Sequence, residues 1–295
     1  MKIKKLISAL VLGSMLVGLS GCNITDFSAE NLLRPPKAVG DEAEIEQLIA
    51  KTADSGYTLK YPKNGKFRSA IIMTDLDGND SNEAVAFFRN SVETSSVHML
   101  VMYSKDNSWE IASDNIFETT DIDSVDFADL TGNGKAEIIV NSTTYTPNVG
   151  KLSCYSYSEG KTNEVGSGQS CSSFVTGDFD NDGTSEIMSL VLYTTENEAL
   201  ASMLDYNEDS KSLYAKAMAN MDPNVVKYKN IAVTKLDNDI TGIVVDGTSA
   251  NEVTNTQVIF YSRDLAILRN PLFKEKAKNI TRRSSQVICS DIDKD

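Results

Sequence analysis

The sequence predicts an all-β protein, a β-propeller of four-stranded blades preceded by one short helix. Three observations lead there. A segment recurs five times along the 295 residues, at spacings of 54, 49, 57 and 56. Each copy places apolar residues at period two around a polar loop, the pattern of a β-hairpin. Further alternating runs lie between the copies, among them 98–103, 108–112, 152–157, 198–205, 213–218 and 257–261. They bring each unit to about four strands in roughly fifty residues, the arithmetic of a propeller blade. The 3.6-residue periodicity of stacked helical repeats is missing from the units.

The elements follow in order. Lys2, Lys4 and Lys5 precede an apolar run from Leu6 to Leu19, too short to span a bilayer comfortably as a permanent helix, so residues 1–21 read as a secretory signal. Leu19-Ser20-Gly21-Cys22 resembles the bacterial lipobox. The resemblance implies cleavage before Cys22 and acylation of that cysteine; the alternative is an ordinary cleaved signal with an incidental cysteine. Several acyl chains on one residue exceed the threshold for stable anchoring. The expected location is therefore extracytoplasmic, with the protein held to the membrane through the Cys22 lipid. Residues 22–40, with Arg34-Pro35-Pro36 and no sustained periodicity, form a tether. Residues 41–65 are expected to hold a short helix and a lead-in strand. Ile45, Leu48 and Ile49 fall at helical spacing, and Asp41, Glu42 and Glu44 sit where the helix dipole favours negative charge. Residues 66–295 carry the repeats.

Composition narrows the function. Acids outnumber bases 42 to 28, for a net charge of −14, and −17 outside residues 1–21, which hold three lysines and no acid. Nucleic acid and anionic membrane surfaces are bound by clustered Lys and Arg, so neither is an expected partner. Bound cations are. A single histidine, His98, rules out a His-rich metal cluster and leaves at most one imidazole for nucleophilic catalysis. It opens a strand-like run, which suits surface or blade packing, and Trp109 suits a blade core. Cys154 and Cys171 can bridge in an oxidising compartment, or remain free; Cys289, in an apolar strand pattern, reads as a buried thiol.

The repeated loops are anchored on Asp75, Asp129, Asp178, Lys235 and Asp291, each followed by an apolar plug: Leu76, Leu130, Phe179, Leu236 and Ile292. Asp178-Phe-Asp-Asn-Asp-Gly-Thr-Ser-Glu186 and Asp75-Leu-Asp-Gly-Asn-Asp-Ser-Asn-Glu83 resemble the FG-GAP or VCBS repeats of integrin-α-type propellers, whose motif runs Asp-x-Asp-x-Asp-Gly-x-x-Asp/Glu. Asp129-Leu-Thr-Gly-Asn-Gly-Lys-Ala-Glu137 is a looser match. The Leu-Leu-Arg-Pro-Pro tether and acidic helix are also similar to surface lipoproteins of Firmicutes. Converging acids in a tight loop suit Ca²⁺, which takes six to eight oxygens. Two to three sites are expected. In the third loop Asp178, Asp180, Asp182 and Glu186 would ligate by side chain and Thr184 by its carbonyl. The same offsets give Asp75, Asp77, Asn79, Ser81 and Glu83 in the first loop. They give Asp129, Thr131, Asn133, Lys135 and Glu137 in the second, where fewer charges imply weaker binding. In the fourth, Lys235 and Ile243 replace the terminal ligands, so that loop should hold no metal, its ammonium pairing instead with Asp237 and Asp239. Asp291, Asp293 and Asp295 begin a fifth. The alternative throughout is Asx-rich turns that cap their own backbone.

Asp295 falls on the fifth residue of the fifth loop, so the expectation is an incomplete propeller of about seven blades; a four-bladed ring with a frayed tail is the alternative. The expected function is a monomeric interaction module for protein or glycan, more a binder than an enzyme. The rival is an envelope-acting lyase or hydrolase, with Asp121, Asp123 and Asp126 as acid or base. Tyr145, Tyr155 and Tyr157 can line a face.

Overall fold

The structure, a computed structural model, describes residues 40–54, 56–272 and 280–281. Cys22, Cys289, Asp291, Asp293 and Asp295, with the signal, the tether and the fifth loop, lie outside the described residues. Residues 1–43 group apart from 44–295; of the former, only residues 40–43 are described, as the entry to a helix. No helix among the described residues is long and apolar enough to cross a membrane.

Helix α1 spans Asp41–Ala53. Its Ile45, Ile49 and Ala53 are buried against Phe88, Leu100, Met102 and Trp109, the packing that the Ile-Leu stripe requires.

Four antiparallel sheets follow one another along the chain. The first holds β1 (Tyr57–Leu59), β2 (Ile71–Thr74), β3 (Glu83–Asn90), β4 (Val97–Lys105) and β5 (Ser108–Phe117). The second is β6 (Ile122–Ala128), β7 (Glu137–Thr143), β8 (Gly150–Ser158) and β9 (Lys161–Cys171), in that order. The third is β10 (Ser173–Gly177), β11 (Glu186–Tyr193), β12 (Glu198–Asn207) and β13 (Ser212–Asn220). The fourth is β14 (Val225–Asp237), β15 (Ile240–Ser249), β16 (Thr254–Ser262) and β17 (Ile267–Arg269), with β18 (Ile280–Thr281) also pairing β16. First strands neighbour one another from sheet to sheet, β6 with β10 and β10 with β14, while last strands meet last strands, β5 with β9 and β9 with β13. Sheets ordered in this way, inner edge to inner edge and outer to outer, are the blades of a propeller-like fold.

Second strands read as continuous apolar runs because both faces are covered. Ala84 to Phe88 of β3 and Ile187, Met188 and Leu190 of β11 are fully buried. Their side chains form cores between blades: Val85 and Phe87 with Ile138 and Val140, then Ile139 with Ile187, then Leu190 with Ile243 and Val245.

Blade 1 departs from the regular plan. Its inner position is shared: β1 pairs with Phe88–Asn90 and β2 with Glu83–Ala86. Lys60 and Ala70 still bond the backbone of Phe87, but between them residues 61–69 leave the blade toward β6. There the amides of Lys63 and Asn64 donate to the carbonyls of Ile122 (3.2 Å) and Asp123 (2.7 Å). Phe67 meets Phe127 edge-on at 4.8 Å.

Cys154 and Cys171 are both buried and free. The β8–β9 register sets Cys171 opposite Gly150, four positions along the strand from Cys154, about 13 Å and far beyond disulfide reach.

Candidate metal centres

Three loops, 75–83, 129–137 and 178–186, join the first and second strands of blades 1 to 3, and they are built alike. In each, the closing glutamate is buried and its Oε2 accepts the amide of the apolar plug at 2.8 Å: Leu76 on Glu83, Leu130 on Glu137, Phe179 on Glu186. The plugs are at most 2% exposed, which fixes the loop to the core at one point and sets the glutamate beneath it. The anchoring aspartate gathers amides from above. Asp75 accepts from Asp77, Gly78, Asn79 and Asp80, Asp129 from Asn133 and Gly134, and Asp178 from Asp182 and Gly183. Asn79, Asn133 and Asp182 in turn accept the amides of Ser81, Lys135 and Thr184. The Asx turns expected as the alternative are thus present. Oxygens that take a single amide, such as Asp75 Oδ2 and both oxygens of Asp129 and of Asp178, keep a further lone pair, whereas Asp75 Oδ1 takes three amides. Gly78, Gly134 and Gly183 carry φ of 74°, 79° and 94°, which a β-carbon strains.

One oxygen from each of Asp178, Asp180, Asp182 and Glu186 lies within 4.8 Å of the others, and Asp75, Asp77 and Glu83 gather likewise. These acidic clusters can hold a metal ion. The fit is supported by what the turns leave over: Asp77 Oδ1, Asp180 Oδ1 and Glu186 Oε1 are buried with no hydrogen-bond partner. A buried carboxylate oxygen without a donor is costly unless a cation or a proton meets it. The donor set is all oxygen, which suits a hard cation. Burial pushes the Glu186 carboxyl up to about 8, with help from Asp180, Asp182 and Asp205. Burial likewise pushes Glu83 up, with Asp77 and Asp75 adding to it. In Asp75 burial acts upward but the four amides outweigh it and hold the acid below its usual range.

The second loop satisfies itself more fully. Thr131 stands where the others have an acid, and its Oγ1 donates to Glu137 Oε1 at 3.3 Å, so both glutamate oxygens are met. Burial, then Asp129, still push Glu137 up to about 7.

The fourth segment forms no such loop. β14 runs on through Lys235 to Asp237 and turns directly into β15, pairing Lys235 with Thr241 and Asp237 with Ile240. Ile243 supplies no carboxylate to catch the plug amide, and Leu236 is accordingly 38% exposed. The expected pairing of Lys235 with Asp237 and Asp239 is not among the ion pairs of the described residues.

Lys216 is the residue that spacing alone missed. Thirty-six positions beyond Asp180, on β13, its ammonium bonds Asp180 Oδ2 and also Asp205 Oδ2 at 2.7 Å. Asp180 therefore turns one oxygen to a lysine and keeps Oδ1 free for the loop interior. The loops are also linked in series. The amide of Ala136 donates to Leu76 O (3.2 Å) and that of Ser185 to Asp129 O (2.9 Å), from the same offset in successive blades.

The acids considered for acid-base chemistry are engaged. Asp121 pairs with Lys60 (2.5 Å) and Lys63 (3.1 Å); burial acts upward on it, but the two ammoniums win and hold it below its usual range. Asp123 accepts from Asn64 (2.9 Å) and Ser124 (3.1 Å), and Asp126 from Thr176 of the next blade (2.9 Å). His98 stacks on Phe88 with Nδ1 2.9 Å from Asp114, and Trp109 is buried in the blade 1 core.

No protein family matches the sequence, and no curated protein does. The likeness to FG-GAP and VCBS repeats therefore rests on the loop residues alone. Among solved structures, the exotype rhamnogalacturonan lyase YesX is similar at 11% identity and a TM-score of 0.36, over 72% of this chain. The chain spans 56% of the length of that structure.

Proposed function

We propose that this protein is a calcium-braced propeller that serves as an interaction module for a protein or glycan outside the cytoplasm, tethered through a lipid on Cys22. The observation that carries the calcium reading is the set of buried carboxylate oxygens without partners in the first and third loops, Asp77 Oδ1, Asp180 Oδ1 and Glu186 Oε1. Calcium is the cation of choice because every donor is a hard oxygen and the loops offer carbonyls besides their acids. Two sites follow from the first and third loops, with the second a weaker third, its Thr131 having already spent a hydrogen bond on Glu137. The bracing role follows from closed loops that stitch one blade to the next and leave little room for a substrate. A lyase or hydrolase is less well supported, since Asp121, Asp123 and Asp126 are held by lysines, amides and two hydroxyls. Nucleic acid is no expected partner at a net charge of −14, and the protein is proposed to act as a monomer.

Thermal unfolding of the purified chain in excess calcium and in chelator tests the reading. A ligand bound only by the native state raises the melting temperature by mass action, and a hundredfold excess over Kd stabilises by about 2.7 kcal/mol per site. The expected result is a shift of several degrees, mostly lost in Asp178→Ala combined with Asp180→Ala. An unchanged melting temperature would sink the calcium reading.

A further inference from the structure

The acidic loops follow the C-terminal ends of β2, β6 and β10. At the other ends of the inner strands a cleft of about 890 Å³ opens, lined by the starts of β6, β10 and β14 and by the segment 143–150. Its charge is the reverse of the chain's. Lys63, Arg68, Lys227 and Lys229 line it, and its acids are Asp121 and Asp123. Both acids are already occupied, Asp121 by Lys60 and Lys63, Asp123 by Asn64 and Ser124. Among the described residues Arg68, Lys227 and Lys229 make no ion pair. Three unpaired cations gathered over one polar cleft, in a chain of net charge −14, focus a positive potential there.

Amides and hydroxyls make up most of the remaining lining, among them Thr143, Thr144, Asn148, Ser172, Ser173 and Asn230, with an apolar part from Val149, Phe174, Val175, Leu192 and Ile231. Asn141 adds an independent mark. It is 1% exposed, it lines the cleft, and its Oδ1 meets no donor, a buried acceptor that a ligand hydroxyl or water would satisfy. Beside the cleft, at the tip of 143–150, Tyr145 is 99% exposed, an aromatic face with nothing on it.

We propose that this cleft is the ligand site of the module, and that its ligand is an acidic carbohydrate, an oligosaccharide carrying uronic-acid carboxylates. The inference rests on the interaction-module reading and names its ligand class. Carboxylates recurring along a sugar chain meet several separate cations. Ring hydroxyls meet the amides and hydroxyls between them, and Tyr145 offers a stacking face. An acidic peptide matches the cations equally well and could use Phe174, Leu192 and Ile231 for an anchor side chain, but amides and hydroxyls outnumber the apolar residues of the lining, which favours the hydroxyl-rich ligand.

The test is calorimetric titration of the full chain with a hyaluronan octasaccharide, with maltohexaose and hexaglutamate as comparisons. The octasaccharide should bind at least about tenfold more tightly than either, and less tightly as salt rises. Lys227→Gln combined with Lys229→Gln, and separately Arg68→Gln, should each weaken it by about tenfold or more. These side chains are exposed, so the calcium melting shift should be retained and certifies the fold. Hexaglutamate binding as tightly as the octasaccharide overturns the carbohydrate assignment. Absence of octasaccharide binding, or binding unchanged in the variants, overturns the site. If the chain then shows its calcium shift and enriches a protein or glycan from cell-envelope material, the module reading survives without this ligand.

Discussion

Glu186 shows how one residue ties turn, core and cation together. Its Oε2 holds the amides of Phe179 (2.8 Å) and Asp180 (3.4 Å), while Oε1 lies buried and unmet. Without metal the simplest relief is a proton. Glu186 and Glu137, pushed to about 8 and about 7 from an ordinary value of 4.5, hold protons in the folded chain that the unfolded chain releases. Stability in chelator should therefore fall as pH rises from about 4.5 to about 8, because in that window the native state binds more protons than the unfolded one. Calcium replaces the proton and should flatten that slope. Glu186→Gln keeps an acceptor for Phe179 and removes the buried charge. Its melting temperature in chelator at pH 8 should rise or hold, while at least half of the calcium shift is lost; melts across pH with and without calcium read both effects. The sequence displayed the loop acids plainly, since nine consecutive residues carry them. It could not show Lys216, whose place beside Asp180 depends on the pairing of β12 with β13, or that Asp121 and Asp123 are docking points for residues some 58 positions earlier.

At the scale of the element, the β7–β8 hairpin in blade 2 depends on a glycine. Gly150 opens β8 opposite Thr143, and a β-carbon there would stand 2.3 Å from Asn141 Oδ1 and 2.6 Å from the Ser142 carbonyl. The second contact is backbone, which cannot swing away. Gly150→Ala should cost about 1–3 kcal/mol, seen as a melting temperature several degrees lower in both calcium and chelator, in contrast to the loop variants, whose effect needs calcium. Alternation made the inner and second strands legible. β9 was hidden, because Lys161 to Cys171 is polar with two glycines and, as the last strand of its blade, needs no apolar run. A lead-in strand was expected within 41–65, but that β1 and β2 share the inner position of blade 1 was hidden, for three residues at Tyr57–Leu59 give no period. In the fourth blade the motif offset suggested a loop, but without a glutamate at Ile243 to seize the Leu236 amide, strand pairing continued to the turn.

Across the molecule, the three loops make a connected series through Ala136 on Leu76 and Ser185 on Asp129, and blade 4 stands outside it. Hydrogen exchange should report this directly. Calcium should slow exchange at 76–80 and 179–184 and, through the linking bonds, at Ala136 and Ser185, while leaving 235–243 unchanged. Protection spread evenly over all four blades would contradict the series. The charge map follows the same division, with acids at the loop ends of the inner strands and unpaired cations at their starts.

The excursion of residues 61–69 onto β6 bears on the order in which the blades fold. Lys63 and Asn64 meet Asp121 and Asp123 across 58 and 59 positions of sequence, so the first blade completes its contacts only once the second is there to receive them. Blade 1 without blade 2 presents an inner strand in two pieces with its connection unmoored. Docking of Ile122–Ala128 closes both at once, and the first stable folding intermediate should contain two blades and never one.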